Sequence, residues 1–218
     1  MSVLVLTALL FSASGACVSD ADQPAEKQPA LASSDSLERL YLRGRTFAAF
    51  LAAARSRRET WLANYASPAR FAEWLSRARA VPGRWRLLVV AEDWCGDSAN
   101  TIPYLAQLSD SVPSLELRIV NARDGRWVME SHRTPDGRAA TPTVVLLDST
   151  GSEAGCFVER PAALRQWLAA NRPRLSEAGL RRSRDEWRRK DAGQSTVREM
   201  VELLESAAAG RPRCGPTR

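Results

Sequence analysis

Leu87-Leu88-Val89-Val90-Ala91 is an unbroken apolar run, and it gives way abruptly to Glu92-Asp93-Trp94-Cys95-Gly96-Asp97-Ser98. A half-exposed strand would alternate polar and apolar residues. A short continuous run of branched residues instead predicts a strand buried on both faces. Such a strand needs cover on each side of its sheet, which predicts an α/β chain with a central sheet flanked by helices. From Asp97 onward Ile102, Leu105 and Leu108 recur at helical spacing. Cys95 therefore stands where a buried strand hands over to the first turn of a helix. Unpaired backbone N–H groups and the positive end of the helix dipole favour a thiolate at such a place.

Downstream, Leu115 to Val120 reads as a strand ended by Asn121 to Asp124, and Trp127 to His132 as a short helix or turn. Pro135 to Ala140 is a polar loop containing Asp136-Gly137. It leads to Pro142 and an apolar strand, Thr143 to Leu147. Asp148 to Gly151 is a hairpin turn and Glu153 to Val158 the return strand. Arg160-Pro161 opens a helix with Leu164, Trp167 and Leu168 on one face. Upstream, Leu37, Leu40, Tyr41, Phe47, Phe50, Leu51, Leu62 and Tyr65 form an apolar set at helical spacing, with Gly44 dividing it into two helices. Ser67-Pro68 offers an N-cap and first-turn proline for a helix carrying Phe71, Trp74 and Leu75. Pro82-Gly83 breaks that helix before the central strand. After Pro173 the charged segment to Lys190 is expected to be partly helical and solvent-facing, and Thr196 to Ala208 an amphipathic helix covering the sheet.

Two stretches carry a resemblance. Trp94-Cys95-Gly96-Asp97-Ser98 resembles the active-site turn of thioredoxin-like proteins, which is Trp-Cys-x-x-Cys in the redox-active members. Ala140-Thr141-Pro142-Thr143-Val144-Val145-Leu146-Leu147 resembles that family's cis-proline and following core strand. The turn is most similar to the subgroup reading Trp-Cys-Gly-Asp-Cys or Trp-Cys-Gly-Asp-Ser, and the likeness covers about Ser67 to Leu168. It implies a thioredoxin-like fold, a mixed sheet flanked by helices, here with extra N-terminal and C-terminal helices. It also implies a working thiol at Cys95 within a turn shaped by Trp94 and Gly96, with Thr141 and Pro142 orienting the substrate. Two positions depart from the family pattern: Ser98 replaces the second cysteine, and Val89 stands where classical members keep a buried acid.

These departures give a monothiol expectation. Cys95 attacks a disulfide, a mixed disulfide forms, and an external thiol must resolve it, because a serine hydroxyl cannot. Ser98 retains the ability to donate a hydrogen bond to the Cys95 thiolate. Asp97 has two readings: its charge opposes the helix dipole at the thiol, or it serves the helix itself as an N-terminal acid. Pro142 also has two, a cis residue beside Cys95 or a trans proline opening an edge strand. Cys156 is a resolving thiol, a buried small hydrophobe, or one half of a disulfide with Cys214. His132 is not required by this chemistry. The partners would be protein or small-molecule disulfides and a thiol reductant, with no cofactor. The alternative is a thioredoxin-fold module that binds a polypeptide without turnover.

The ends of the chain bear on location. Residues 1–16, MSVLVLTALLFSASGA, read as a secretory signal too short to span a bilayer. Ser-Gly-Ala-Cys resembles the end of a lipoprotein signal, with Cys17 the lipidated residue. Residues 17–35 read as a flexible tether, 36–208 as the domain with its N-terminal helical extension, and 209–218 as a loose tail. Export, free or on a lipid anchor, is the expectation, with a cytoplasmic location as the alternative. Net charge is +6 and the isoelectric point near 9.7. The basic residues cluster at Arg55 to Arg58 and from Arg181 to Lys190. Acids interleave with the second cluster and no nucleic-acid motif accompanies either, so solvated helix faces are expected rather than nucleic-acid binding. No two of the four cysteines have metal-ligand spacing, and His132 is far from all of them in sequence, so no metal site is expected.

Overall fold

The structure, a computed structural model, describes residues 34–67 and 71–214. The signal, Cys17 with nearly all of the tether, Pro68 and the last four residues lie outside them. In order, the elements are α1 (Ser34–Arg43), α2 (Phe47–Ala53), α3 (Arg58–Ala66), α4 (Ala72–Ala80), β1 (Trp85–Val90), α5 (Gly96–Ala99) and α6 (Ile102–Ser111). Then follow β2 (Leu115–Val120), α7 (Arg126–Ser131), β3 (Thr143–Leu147), β4 (Glu153–Val158), α8 (Ala162–Asn171), α9 (Glu177–Asp191), α10 (Gln194–Ala208) and β5 (Arg213–Cys214).

The five strands form one sheet in the order β2-β1-β3-β4-β5, with β1 parallel to β2 and antiparallel to β3. The apolar run occupies an interior strand because every residue from Leu87 to Ala91 is fully buried. Side-chain alternation sends Leu87 and Val89 to one face, where they meet Leu105, Leu108 and Met200. Leu88 and Val90 go to the other, against Leu37, Leu40 and Val128. A sheet covered on both sides is what the sequence pattern predicts.

The N-terminal extension differs from the expected pair of helices. The first break falls at Gly44, where an added Cβ would lie 2.8 Å from the Arg118 Cβ; Arg45 there exchanges backbone hydrogen bonds with Ile119. A second break falls at Arg57, whose φ is 51°, so three helices form. The Arg55 and Ser56 N–H groups donate to the Asp93 carboxylate instead of to helix carbonyls. The following helix begins at Ala72, with Phe71 as its N-cap rather than a residue within it. The C-terminal segment also departs from expectation: Arg213–Cys214 pairs in parallel with Gly155–Cys156, so the tail adds a strand to the sheet edge.

Between α9 and α10, Ala192 and Gly193 both take left-handed backbone conformations. A Cβ on Gly193 would lie 2.2 Å from the Tyr104 ring. Gly193→Ala is expected to cost about 2–4 kcal/mol, from left-handed strain and overpacking together. A urea midpoint unchanged from wild type would show that the α9–α10 turn is not fixed as described.

Glu199 is buried in α10, and one oxygen accepts from Ala162 N–H at 2.8 Å, capping α8. Burial pushes this carboxyl above its ordinary range, outweighing the cap and the nearby Arg165. Between the unfolded and folded values the native state holds more protons, so stability falls as pH rises through that window. Glu199→Gln lacks this term. Denaturation at several pH values should show wild type losing stability relative to the variant as pH rises; the opposite slope would contradict the assignment.

Candidate active site

The turn after β1 is held from both sides before any reactive atom is reached. Glu92 accepts from Ala122 N–H at 2.7 Å, anchoring the turn to the chain after β2. Asp93 takes the N–H groups of Arg55 and Ser56 at 2.7 and 3.0 Å, and the Trp61 indole donates to its carbonyl at 3.0 Å. Burial raises the Asp93 carboxyl, but the Ser56, Arg55 and Trp94 N–H groups outweigh it and hold it below the usual carboxylate range. Arg57 Nε donates to the Trp94 carbonyl at 2.7 Å, and Arg58 donates to that of Leu51. Two arginines of the first basic cluster therefore hold backbone as well as facing solvent.

Cys95 caps α5. Its Sγ accepts from Ser98 N–H at 3.4 Å, and the thiol donates to the Thr141 carbonyl at 3.3 Å. The Thr141–Pro142 peptide bond is cis. Trp94 is 61% exposed. Ser98 is fully buried, and its hydroxyl has no hydrogen-bond partner among the described residues. The serine thus reaches the sulfur through its backbone amide, where the sequence suggested the hydroxyl.

Asp97, whose charge the sequence leaves unplaced, is held between two arginines. Arg160 grips it through both oxygens at 3.0 and 2.8 Å, and Arg188 closes on Oδ1 from α9. All three side chains are at most 20% exposed. Burial lowers the Arg188 guanidinium and also opposes charge on Arg160, whose balance the Asp97 carboxylate tips upward. Arg160 also meets Glu159, which accepts two hydrogen bonds from Arg138 in the loop before Pro142. Alternating charges thus connect the proline loop, the active-site turn and α9. Arg188 belongs to the segment expected to face solvent; its inward turn left no sign in a run of arginines. Beside Gly96 an open groove of about 610 Å³ runs between α3 and α9, lined by Arg57, Asn64, Asn100, Arg184 and Arg189.

Cys156, offered by the sequence as a possible resolving thiol, is not a free thiol in this structure. It is joined to Cys214 in a disulfide, 58 residues apart in sequence. It also pairs with Val145, four residues along the chain from the Thr141 carbonyl that Cys95 contacts. At 3.3 Å per residue that is roughly 13 Å, well beyond disulfide reach. Among the described residues Cys95 is the free cysteine. His132 lies away from Cys95. Its Nδ1 faces the Val128 carbonyl at 2.7 Å and its Nε2 faces Glu153 at 2.9 Å.

A family model described as Thioredoxin matches residues 44–174, more than half of the chain. The chain belongs to the thioredoxin family. Its fold is thioredoxin-like, and solved structures agree. A protein of unknown function from Pseudomonas aeruginosa is 23% identical with a TM-score of 0.62, the match covering 78% of this chain and 97% of that one. An HIV epitope-scaffold is 22% identical with a TM-score of 0.61, over the same shares of each chain. None of the curated proteins matches. In this thioredoxin-family chain the thiol, the proline loop and the Asp97 clamp converge on one end of the sheet.

Asp97→Asn should lower stability by about 3 kcal/mol, because it leaves two poorly exposed guanidinium groups without their anion. Arg188→Met should cost clearly less, since Arg160 keeps both carboxylate oxygens. Chemical denaturation of the two variants checks this, and equal losses would refute the clamp as described.

Proposed function

We propose that this protein carries out thiol–disulfide exchange as a monothiol member of the family, in the subgroup whose turn reads Trp-Cys-Gly-Asp-Cys or Trp-Cys-Gly-Asp-Ser. The observation that carries the reading is the position of Cys95. A partly exposed thiol caps a helix, contacts the carbonyl before a cis-proline, and has no second thiol within reach among the described residues. The Cys95 thiolate attacks one sulfur of a substrate disulfide. The Cys95–S bond forms as the S–S bond breaks, and the departing sulfur leaves as a thiolate that takes up a proton. A second thiol, supplied from outside, then attacks the mixed disulfide and returns Cys95 to its reduced form. Trp94 presents its ring at the mouth of the site, Gly96 lies in the turn beside Cys95, and Thr141 and Pro142 offer backbone to an extended substrate. Substrates are protein or small-molecule disulfides. No cofactor is required.

The Cys156–Cys214 disulfide favours an oxidising compartment, in keeping with export and with Cys17 as a lipid anchor. Among the described residues no helix is long and apolar enough to cross a membrane.

Mixed-disulfide trapping tests the reading. Adducts on non-reducing gels should form with wild type and vanish with Cys95→Ala. Ser98→Cys should shorten adduct lifetime at least tenfold, because a resolving thiol then stands in the same turn. If wild type and Cys95→Ala capture the same partners, the protein is a binding module instead.

A further inference from the structure

The chemistry-bearing side chains outside the active site gather at one place, the edge of the sheet where β5 joins β4. There the donor atoms of His132, Cys156 and Cys214 all lie within 4.8 Å of one another. Glu153 adds a fourth donor: its Oε1 is 2.9 Å from His132 Nε2 and 3.6 Å from Cys214 Sγ. Tetrahedral zinc with Zn–S near 2.3 Å and Zn–N near 2.0 Å places its donors roughly 3.3–3.8 Å apart. Once the sulfurs are no longer bonded they part by about 1.7 Å to meet that requirement, which a side-chain rotation of the exposed Cys214 supplies.

We propose that, when the Cys156–Cys214 disulfide is reduced, Cys156, Cys214, His132 and Glu153 bind one zinc ion. Several features support a built site. His132 is buried, and its Nδ1 is fixed on the Val128 carbonyl, which aims Nε2 at the cluster; metal-binding histidines commonly carry such a backbone partner. Cys156 sits in a strand, 2% exposed, so its position is set by the sheet. Cys214 and Glu153 are exposed, which opens a path for the ion from solvent. Two thiolates, an imidazole and a carboxylate suit zinc rather than calcium or magnesium.

The disulfide and the metal are alternatives. A small-molecule dithiol delivers two electrons and two protons to Cys156–Cys214 and becomes a cyclic disulfide. Zinc then displaces the two thiol protons as it binds. Oxidation of the thiolates by a disulfide expels the ion and restores the bond. In either state the end of the chain stays fastened to β4.

Cobalt(II) reports the site directly. The full chain, reduced with a dithiol that is then removed, should bind one equivalent. It should develop a thiolate-to-cobalt charge-transfer band and visible bands of tetrahedral intensity, and zinc should bleach both. The oxidised chain should show neither. Cys95→Ala and Cys17→Ala should keep the bands, because those sulfurs are not ligands. Cys214→Ser should lose at least half of the charge-transfer intensity, and His132→Gln should lose the tetrahedral visible bands. Cys214 is exposed, so its variant keeps the test open should a Cys156 variant fail to fold. No bands in the reduced protein, equal binding by the oxidised protein, or bands lost only in Cys95→Ala would each overturn the proposal. None of these outcomes bears on the exchange chemistry of Cys95.

Discussion

A carboxylate in the first turn of a largely buried helix has to be paired, and the pairing of Asp97 organises this end of the molecule. Arg160 reaches it from the junction of β4 and α8, and Arg188 from α9. Pairing buried charges gains little net stability over a well-packed apolar cluster, but removing one partner is expensive. The clamp therefore acts mainly as a specification. It is satisfied where Arg160, before α8, and Arg188, in α9, lie against the active-site turn. It also sets two guanidinium groups against the one carboxylate of the active-site turn. The sequence offers Asp97 as a charge opposing the helix dipole or as an N-terminal acid serving the helix, and the structure adds two arginine partners that neither reading names.

The same network reaches the proline loop. Asp136 binds Arg138, Arg138 binds Glu159, and Glu159 meets Arg160. The Arg138 hydrogen bond, with help from Thr134, holds the exposed Asp136 carboxyl down to about 2. The loop before Pro142 and the turn carrying Cys95 are thus referred to one set of charges. Their close contact, the Cys95 thiol on the Thr141 carbonyl, is supported at both ends.

What the sequence discloses here is what short-range pattern encodes. The buried run at Leu87 predicts a two-sided sheet, periodic apolar residues predict α6 and α10, and Asp148 to Gly151 predicts the hairpin. Cys95 is legible from the handover of a buried strand to a helix, and Pro142 through the resemblance of its segment to the family's cis-proline strand. The missed features are long-range. Arg188 looks like any other arginine in α9, and only the fold shows Asp97 opposite it, 91 residues away. The break at Arg57 depends on the Asp93 carboxylate, which arrives from beyond β1. His132 is distant from every cysteine in sequence, so spacing rules argue against a metal site. Yet α7 and the β4–β5 edge bring it among two of them. Leu62 fits the apolar period but is 42% exposed, because its neighbour Trp61 fills the core and donates to the Asp93 carbonyl.

Ser98 is where these constraints meet the chemistry. Its amide already serves the sulfur, while its buried hydroxyl has no partner among the described residues. An unsatisfied buried hydroxyl costs roughly 1–3 kcal/mol, so alanine would suit a purely structural turn better. The thiol form of Cys95 spends its proton on the Thr141 carbonyl. What the turn draws from this position is the amide on the sulfur, which any residue would supply, while the hydroxyl is a cost that the fold carries.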